Sequence, residues 1–304
     1  MPPSTSTFAA ESGHWYRQDG TPCYEVPNKS ARKKCPSCGG SMKGAAAKAI
    51  TLACTTCDDE GYIYPEMRQT TLTDARKLKL APSTTGAIRA MAAPGLVIWE
   101  KQQIKDAIYT APKAELEGLS PEAWNAKVDE WANAHKRQSA AVGTDIHATL
   151  EVGIRGGSLE GYQYAAWYYA AEAELRRHGV VPPYDAERSF TSRYGYGCKV
   201  DLIGPGLLID FKTKDFKDDE NGMAIIPDLM DEHLMQVAAN AVAGDVSFID
   251  GRFGILFVDR QKPRCALRWA STEGIYRGWE MFKCCLRLTQ LRDEYVPEWA
   301  EVLP

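Results

Sequence analysis

Three strand patterns that follow one another closely constrain the fold of this 304-residue chain more than any other feature. The segments 186–193, 197–203 and 207–213 run apolar or alternate apolar with polar residues. Gly195 and the Gly-Pro-Gly sequence at 204–206 separate them, and such residues mark turns. The spacing therefore predicts a three-stranded meander.

Helical patterns surround this meander along the chain. Before it, residues 84–110 predict two helices separated at Pro94-Gly95, and further helices are predicted at 121–136, 140–154 and 160–177. After it, the patterns predict a helix, two strands and a closing helix, at residues 231–243, 253–259, 264–269 and 272–291. This order predicts an α/β fold in which a mixed central sheet is flanked by helices.

A cysteine quartet stands apart near the N-terminus. Its spacing is C-x2-C-x15-C-x2-C, formed by Cys35, Cys38, Cys54 and Cys57. Thiols stay reduced in a cytosolic protein, and two such knuckles offer four thiolates to a tetrahedral Zn²⁺. The sequence therefore predicts a small zinc ribbon and two domains: residues 1–70 with the lead-in and the ribbon, and residues 71–304 with the sheet.

The ribbon lies in a basic part of a chain whose net charge is −4. No acidic residue occurs between Val26 and Cys57, where six basic residues are found: Lys29, Arg32, Lys33, Lys34, Lys43 and Lys48. Two interpretations remain open. The zinc is a structural staple for a segment too small to fold alone, or it holds a surface that binds nucleic acid, with Lys33 and Lys34 among the contacts.

Two carboxylates and a lysine on the meander form the pattern D-x8-D-x-K. Asp201 and Asp210 fall on neighbouring strands of one hairpin, so their side chains can converge on one divalent cation. Lys212 shares a strand face with Asp210. The alternative is a solvent-facing ion pair, but the apolar run 207–211 makes an unassisted charged pair costly there. The pattern favours water activation against a phosphodiester.

A histidine and a glutamate lie one helical turn apart in the segment that begins at Gly143. His147 and Glu151 are four residues apart, so both can face one site. Taken alone, a pair at this spacing is more often a surface ion pair than a ligand pair.

In order, these motifs resemble the RecB-type branch of the PD-(D/E)XK nuclease superfamily. The resemblance rests on G-T-x-x-H-x-x-x-E from Gly143, Asp201, I-D-F-K-T at 209–213 and a glutamine on the next helix, Gln236. It covers about residues 80–290. The start at 82–85, with Ala-Pro-Gly-Leu at 93–96 and Trp99, is similar to the helical lead-in of phage exonucleases of this branch.

The resemblance implies a role for each matching residue. Mg²⁺ or Mn²⁺ would be held by the side chains of His147, Asp201 and Asp210 and by the backbone carbonyl of Phe211. Lys212 would orient or activate the attacking water, Glu151 and Glu187 would support the metal or its waters, and Gln236 would position the DNA backbone. One residue departs from the family, which often has a tyrosine where this chain has Asn240.

The resemblance thus implies a metal-dependent deoxyribonuclease, with an exonuclease favoured over an endonuclease, acting in recombination, repair or phage genome processing. The alternative is a non-cleaving zinc-ribbon DNA-binding protein that assists recombination. DNA is the expected partner, with a recombination or single-strand-binding protein as a further one.

Cys265, Cys284 and Cys285 lack the spacing of an iron–sulfur cluster. With no membrane span or signal sequence, the expected location is the cytoplasm, that of the host for a phage protein. The oligomeric state stays open.

Overall fold

A five-stranded mixed sheet forms the centre of the fold, as the strand patterns predict. The structure is a computed structural model that describes residues 14–37, 62–91, 94–110 and 112–303. The elements before the sheet are, in order, β1 (Trp15–Tyr16), β2 (Glu25–Pro27), β3 (Lys33–Lys34), β4 (Tyr62–Ile63), β5 (Met67–Gln69), α1 (Leu72–Leu78), β6 (Ala81–Pro82), α2 (Thr84–Ile88), α3 (Pro94–Thr110), α4 (Pro121–Ile154) and α5 (Ala165–Arg177). The remaining elements are β7 (Asp185–Ser192), β8 (Tyr196–Gly204), β9 (Leu207–Lys214), β10 (Lys217–Asp218), β11 (Ala224–Ile225), α6 (Asp231–Ala243), β12 (Arg252–Asp259), β13 (Cys265–Trp269) and α7 (Thr272–Arg292).

The strand order in this sheet is β13-β12-β9-β8-β7. β7, β8 and β9 are antiparallel neighbours, so the predicted meander is confirmed. β9 and β12 pair in parallel, with Asp210 opposite Ile255, and α6 lies in the long connection that a parallel pair requires. β13 then returns antiparallel to β12. The predicted α/β architecture is confirmed at this level.

Helices bury both faces of the sheet. One core contains residues of α2, α6 and α7, and the other contains residues of α4 and α5. We call the corresponding sides of the sheet the α6 face and the α4 face. β12 shows the alternation, because Ile255 and Phe257 belong to the core of the α6 face whereas Leu256 and Val258 belong to the core of the α4 face.

The helices before the sheet differ from the prediction in two places. Residues 121–136 and 140–154 belong to a single 34-residue helix, α4, because the intervening Arg-Gln-Ser contains no glycine or proline to end it. α5 begins at Ala165 rather than at 160. Residues 84–110 form two helices, α2 and α3, as predicted, and Pro94 is the first residue of α3, a position where its missing N–H costs nothing.

The N-terminal segment packs on the sheet domain. β1 pairs with β6, and the ring of Tyr16 lies against Gly197 of β8, where a side chain would clash with it.

Cys35 is buried, while Cys38, Cys54 and Cys57 lie outside the described residues, so the zinc ribbon stays a prediction. Lys33 and Lys34 are exposed on β3. Among the described residues no helix has the length and apolar content that a membrane span requires.

Candidate metal-binding site

A close contact between α4 and β9 brings the predicted histidine to the sheet. A Cβ atom at Gly143 would lie 2.7 Å from Oγ1 of Thr213 on β9, so glycine permits an approach that larger residues would obstruct. His147 follows one turn later on the same helix face. The G-T-x-x-H pattern therefore has a packing reason as well as a chemical one.

Three side chains from three elements converge beneath this part of α4. His147, Glu187 of β7 and Asp201 of β8 offer ligand atoms that all lie within 4.8 Å of one another. Nδ1 of His147 is 3.6 Å from Oδ1 of Asp201. Oδ2 of Asp201 accepts a 2.6 Å hydrogen bond from the backbone N–H of Phe211 on β9. We call these three residues the His147 cluster; an imidazole and two carboxylates at this separation can hold a divalent cation.

The alternation of the sheet is broken at this cluster. Val200 belongs to the core of the α6 face and Leu202 to that of the α4 face, although residues two apart on a regular strand share a face. On the partner strand, Glu187 has a φ of 54°, a left-handed conformation uncommon for residues with a side chain. Backbone departures of this kind concentrate at functional sites.

Burial and neighbouring charge set the ionisation of the cluster. Burial favours the neutral form of Asp201, but the hydrogen bond and charge of His147 outweigh it, and the pKa of this carboxyl is lowered. Burial lowers the pKa of His147, but Asp201 outweighs it, and the net shift is upward. Burial and the charge of Asp201 raise the pKa of Glu187 well above its usual range. These shifts keep Asp201 ionised and favour the protonated forms of His147 and Glu187.

Asp210 and Lys212 lie beside the cluster but outside it. Asp210 points to the α6 face, because its neighbours Ile209 and Phe211 fill the core of the α4 face. Its Oδ1 accepts a 2.9 Å hydrogen bond from Nε2 of Gln236, and Nζ of Lys212 lies 2.7 Å from its Oδ2. The structure therefore does not place Asp210 with His147, Glu187 and Asp201, and Gln236 contacts Asp210.

Glu151 lies near the cluster without joining it. Its carboxylate forms an ion pair with Arg155, one turn further along α4. Arg155 also donates to the carbonyl of Ala186 at 3.1 Å, next to Glu187. The charge of Glu151 contributes to the raised pKa of Glu187. Glu151 thus forms its ion pair with Arg155, whereas the ion pair of His147 is with Asp201.

Sequence reasoning missed one residue that the structure places at the cluster. Lys199 forms an ion pair with Glu187, and both side chains are largely buried, with exposed fractions of 14% and 4%. The sequence feature that could have indicated Lys199 is its position two residues before Asp201, because residues two apart lie on one side of a regular strand.

Asn240 on α6 is also buried, and neither of its amide atoms has a hydrogen-bond partner among the described residues.

Comparisons with known proteins do not assign this chain to a family. The chain matches no protein-family model, and the search of curated proteins gives no significant match.

Proposed function

We propose that this protein is a metal-dependent nuclease with a PD-(D/E)XK-type core. The observation that carries the proposal is the His147 cluster together with Lys212, whose charge acts on His147 and Asp201 and which pairs with the buried Asp210. The mixed sheet flanked by helices is compatible with such a core, and DNA is the substrate that the RecB-type resemblance implies. The N-terminal zinc ribbon, with Zn²⁺ at its four cysteines, belongs to the same proposal.

The donor set of the cluster fits Mn²⁺ or Mg²⁺. Carboxylate oxygens suit both ions, and an imidazole nitrogen is a ligand that Mn²⁺ accepts more readily than Mg²⁺ does. The lowered pKa of Asp201 keeps this carboxylate ionised at neutral pH. Asp201 and His147 would hold the ion, with Glu187 behind them in contact with Lys199.

A divalent ion bound there supplies positive charge against a phosphodiester and makes an attacking water more acidic. The chain's own residues would do the remaining work. Lys212 presents an ammonium group that can neutralise charge developing on a phosphate oxygen. Asp210 and Gln236 hold that lysine in place through the 2.7 Å and 2.9 Å contacts. Each of these residues comes from a rigid strand or helix, which favours fixed geometry.

Cleavage of end-labelled DNA tests the proposal. Linear and closed-circular substrates, single- and double-stranded, are incubated with Mg²⁺, Mn²⁺ or EDTA. Wild-type protein should cut in Mg²⁺ or Mn²⁺ and not in EDTA, and Asp201→Asn should reduce cutting to background because the substitution removes the charge that holds the ion. Exposed Asp129 on α4 offers the matched control, and Asp129→Asn should cut like wild type.

Two outcomes would contradict the proposal. Cutting that persists in EDTA would show that no divalent ion is needed. DNA binding by the wild-type protein without any cutting would favour the non-cleaving accessory protein instead.

A further inference from the structure

Basic side chains neutralise three of the four carboxylates around the site. Glu151 pairs with Arg155, Glu187 with Lys199, and Asp210 with Lys212. Asp201 differs, since its ion pair is with His147, while the charge of Lys212 also acts on it.

The pair of Glu187 and Lys199 is the most deeply placed of those that border the cluster. Only 4% of the Glu187 side chain and 14% of the Lys199 side chain are exposed. Removing two charges from water is costly unless each compensates the other, so neither is expected to leave the pair easily. Glu187 is held toward Lys199 and Asp201 by its left-handed backbone, between the ladder positions of Ala186 and Arg188.

The position of the Lys199 ammonium group affects how many metal ions the site can bind. Two-metal nuclease sites need carboxylates free to bridge or bind two cations about 3.5–4 Å apart. Here Glu187 is the second carboxylate of the His147 cluster, and Lys199 already forms an ion pair with it.

We propose that Lys199 replaces a second divalent cation, so that this centre binds one metal ion, at His147 and Asp201. The inference rests on the proposed function. The Lys199 ammonium already supplies positive charge at Glu187, and this charge would repel a second cation there.

Counting bound Mn²⁺ tests the inference without relying on activity. The protein is titrated with Mn²⁺ alone, free Mn²⁺ is measured by electron paramagnetic resonance, and calorimetry with Ca²⁺ provides a second count. Wild type should bind one ion at the cluster, and Lys199→Gln should bind two, because Glu187 becomes available. Lys199→Arg keeps the positive charge and should stay at one.

A double variant separates a charge effect from a general disturbance of the sheet. Glu187→Gln with Lys199→Gln removes both charges and should return the count to one. Two ions in wild type, or one in a folded Lys199→Gln variant, would overturn the inference and leave the nuclease proposal standing. No ion in wild type would instead remove the basis of the nuclease proposal itself. If Lys199→Gln does not fold, the wild-type count still decides.

Discussion

At the scale of single residues, the site is explained by how each buried charge is compensated. Asp210 is only 2% exposed, and an ionised carboxylate there would be strongly unfavourable alone. Gln236 supplies a hydrogen bond from α6, and Lys212 supplies a positive charge from two residues along the same strand. The sequence spacing predicted that Asp210 and Asp201, on neighbouring strands of the hairpin, would converge on one cation. Instead, Asp201 accepts a hydrogen bond from the backbone N–H of Phe211.

Lys214 extends this arrangement toward solvent. It follows Lys212 on the same side of β9, is exposed, and has no ion pair among the described residues. Partial burial of its ammonium group and the positive charge of Lys212 lower its pKa. Two lysines close enough to influence each other form a site that favours an anion between them.

We predict that Lys214→Ala weakens DNA binding by the loss of one phosphate contact. The negative slope of log affinity against log salt should become less steep by about 0.7–0.9, the amount expected for one phosphate that is no longer neutralised. Anisotropy titrations with labelled DNA at a series of salt concentrations measure this slope. Lys77→Ala, an exposed position on α1, is the control and should leave it unchanged. An unaltered slope in Lys214→Ala would show that this lysine does not contact the backbone.

At the scale of elements, local signals predict the bounds where they agree with packing. The predicted helix 231–243 is observed as α6 at Asp231–Ala243, because its apolar residues face the sheet and two acidic residues occupy its first turn. The break in alternation at Asp201 had no local signal. It depends on contacts with His147 and Phe211 that are 54 and 10 residues away in sequence and so cannot be read from the strand itself.

The packing of α7 on α6 gives an element-scale prediction. A Cβ atom at Gly278 would lie 2.5 Å from the backbone carbonyl oxygen of Leu234, so Gly278→Ala must push the two helices apart. We expect a loss of about 1–3 kcal/mol in the free energy of unfolding, the usual cost of overpacking. Urea denaturation measures it.

Gly274, one turn earlier on α7, is the matched control. A Cβ there would meet the side-chain oxygen of Ser271 at 3.1 Å and side-chain carbons of Leu234 beyond 3.5 Å, so Gly274→Ala should cost much less. Helix propensity favours alanine over glycine by about 0.5–1 kcal/mol in both variants. Equal losses in the two variants would mean that close backbone approach does not limit this interface.

At the scale of the whole molecule, two buried histidines connect its stability to pH. His14, in the N-terminal segment, stacks on Tyr24 with ring centroids 3.8 Å apart. Burial, with the charges of Lys199 and Arg89, lowers its pKa to about 4. His233 accepts a 3.1 Å hydrogen bond on Nδ1 from the N–H of Met230 at the start of α6. Burial and the nearby lysines of β9 lower its pKa to about 3.

Both histidines are therefore neutral in the folded protein over a range in which the unfolded chain binds protons. An unfolded histidine has a pKa of about 6.5, so the stability that each contributes is present above this pH. As the pH falls from about 6.5 toward 4 for His14 and toward 3 for His233, the unfolded state gains a proton that the folded state does not bind. Each histidine should then cost up to about 1.4 kcal/mol per pH unit.

The variant His233→Asn tests this linkage, because asparagine can still accept the hydrogen bond from Met230 but does not titrate. The free energy of unfolding is measured in urea at pH 7, 6, 5.5 and 5 for both proteins. Wild type should lose stability relative to the variant as the pH falls below about 6.5, with a difference that approaches about 1.4 kcal/mol per pH unit near pH 5. His14→Asn should change the slope in the same direction. A difference between wild type and His233→Asn that stays constant from pH 7 to 5 would show that His233 is protonated in the folded protein as readily as in the unfolded chain.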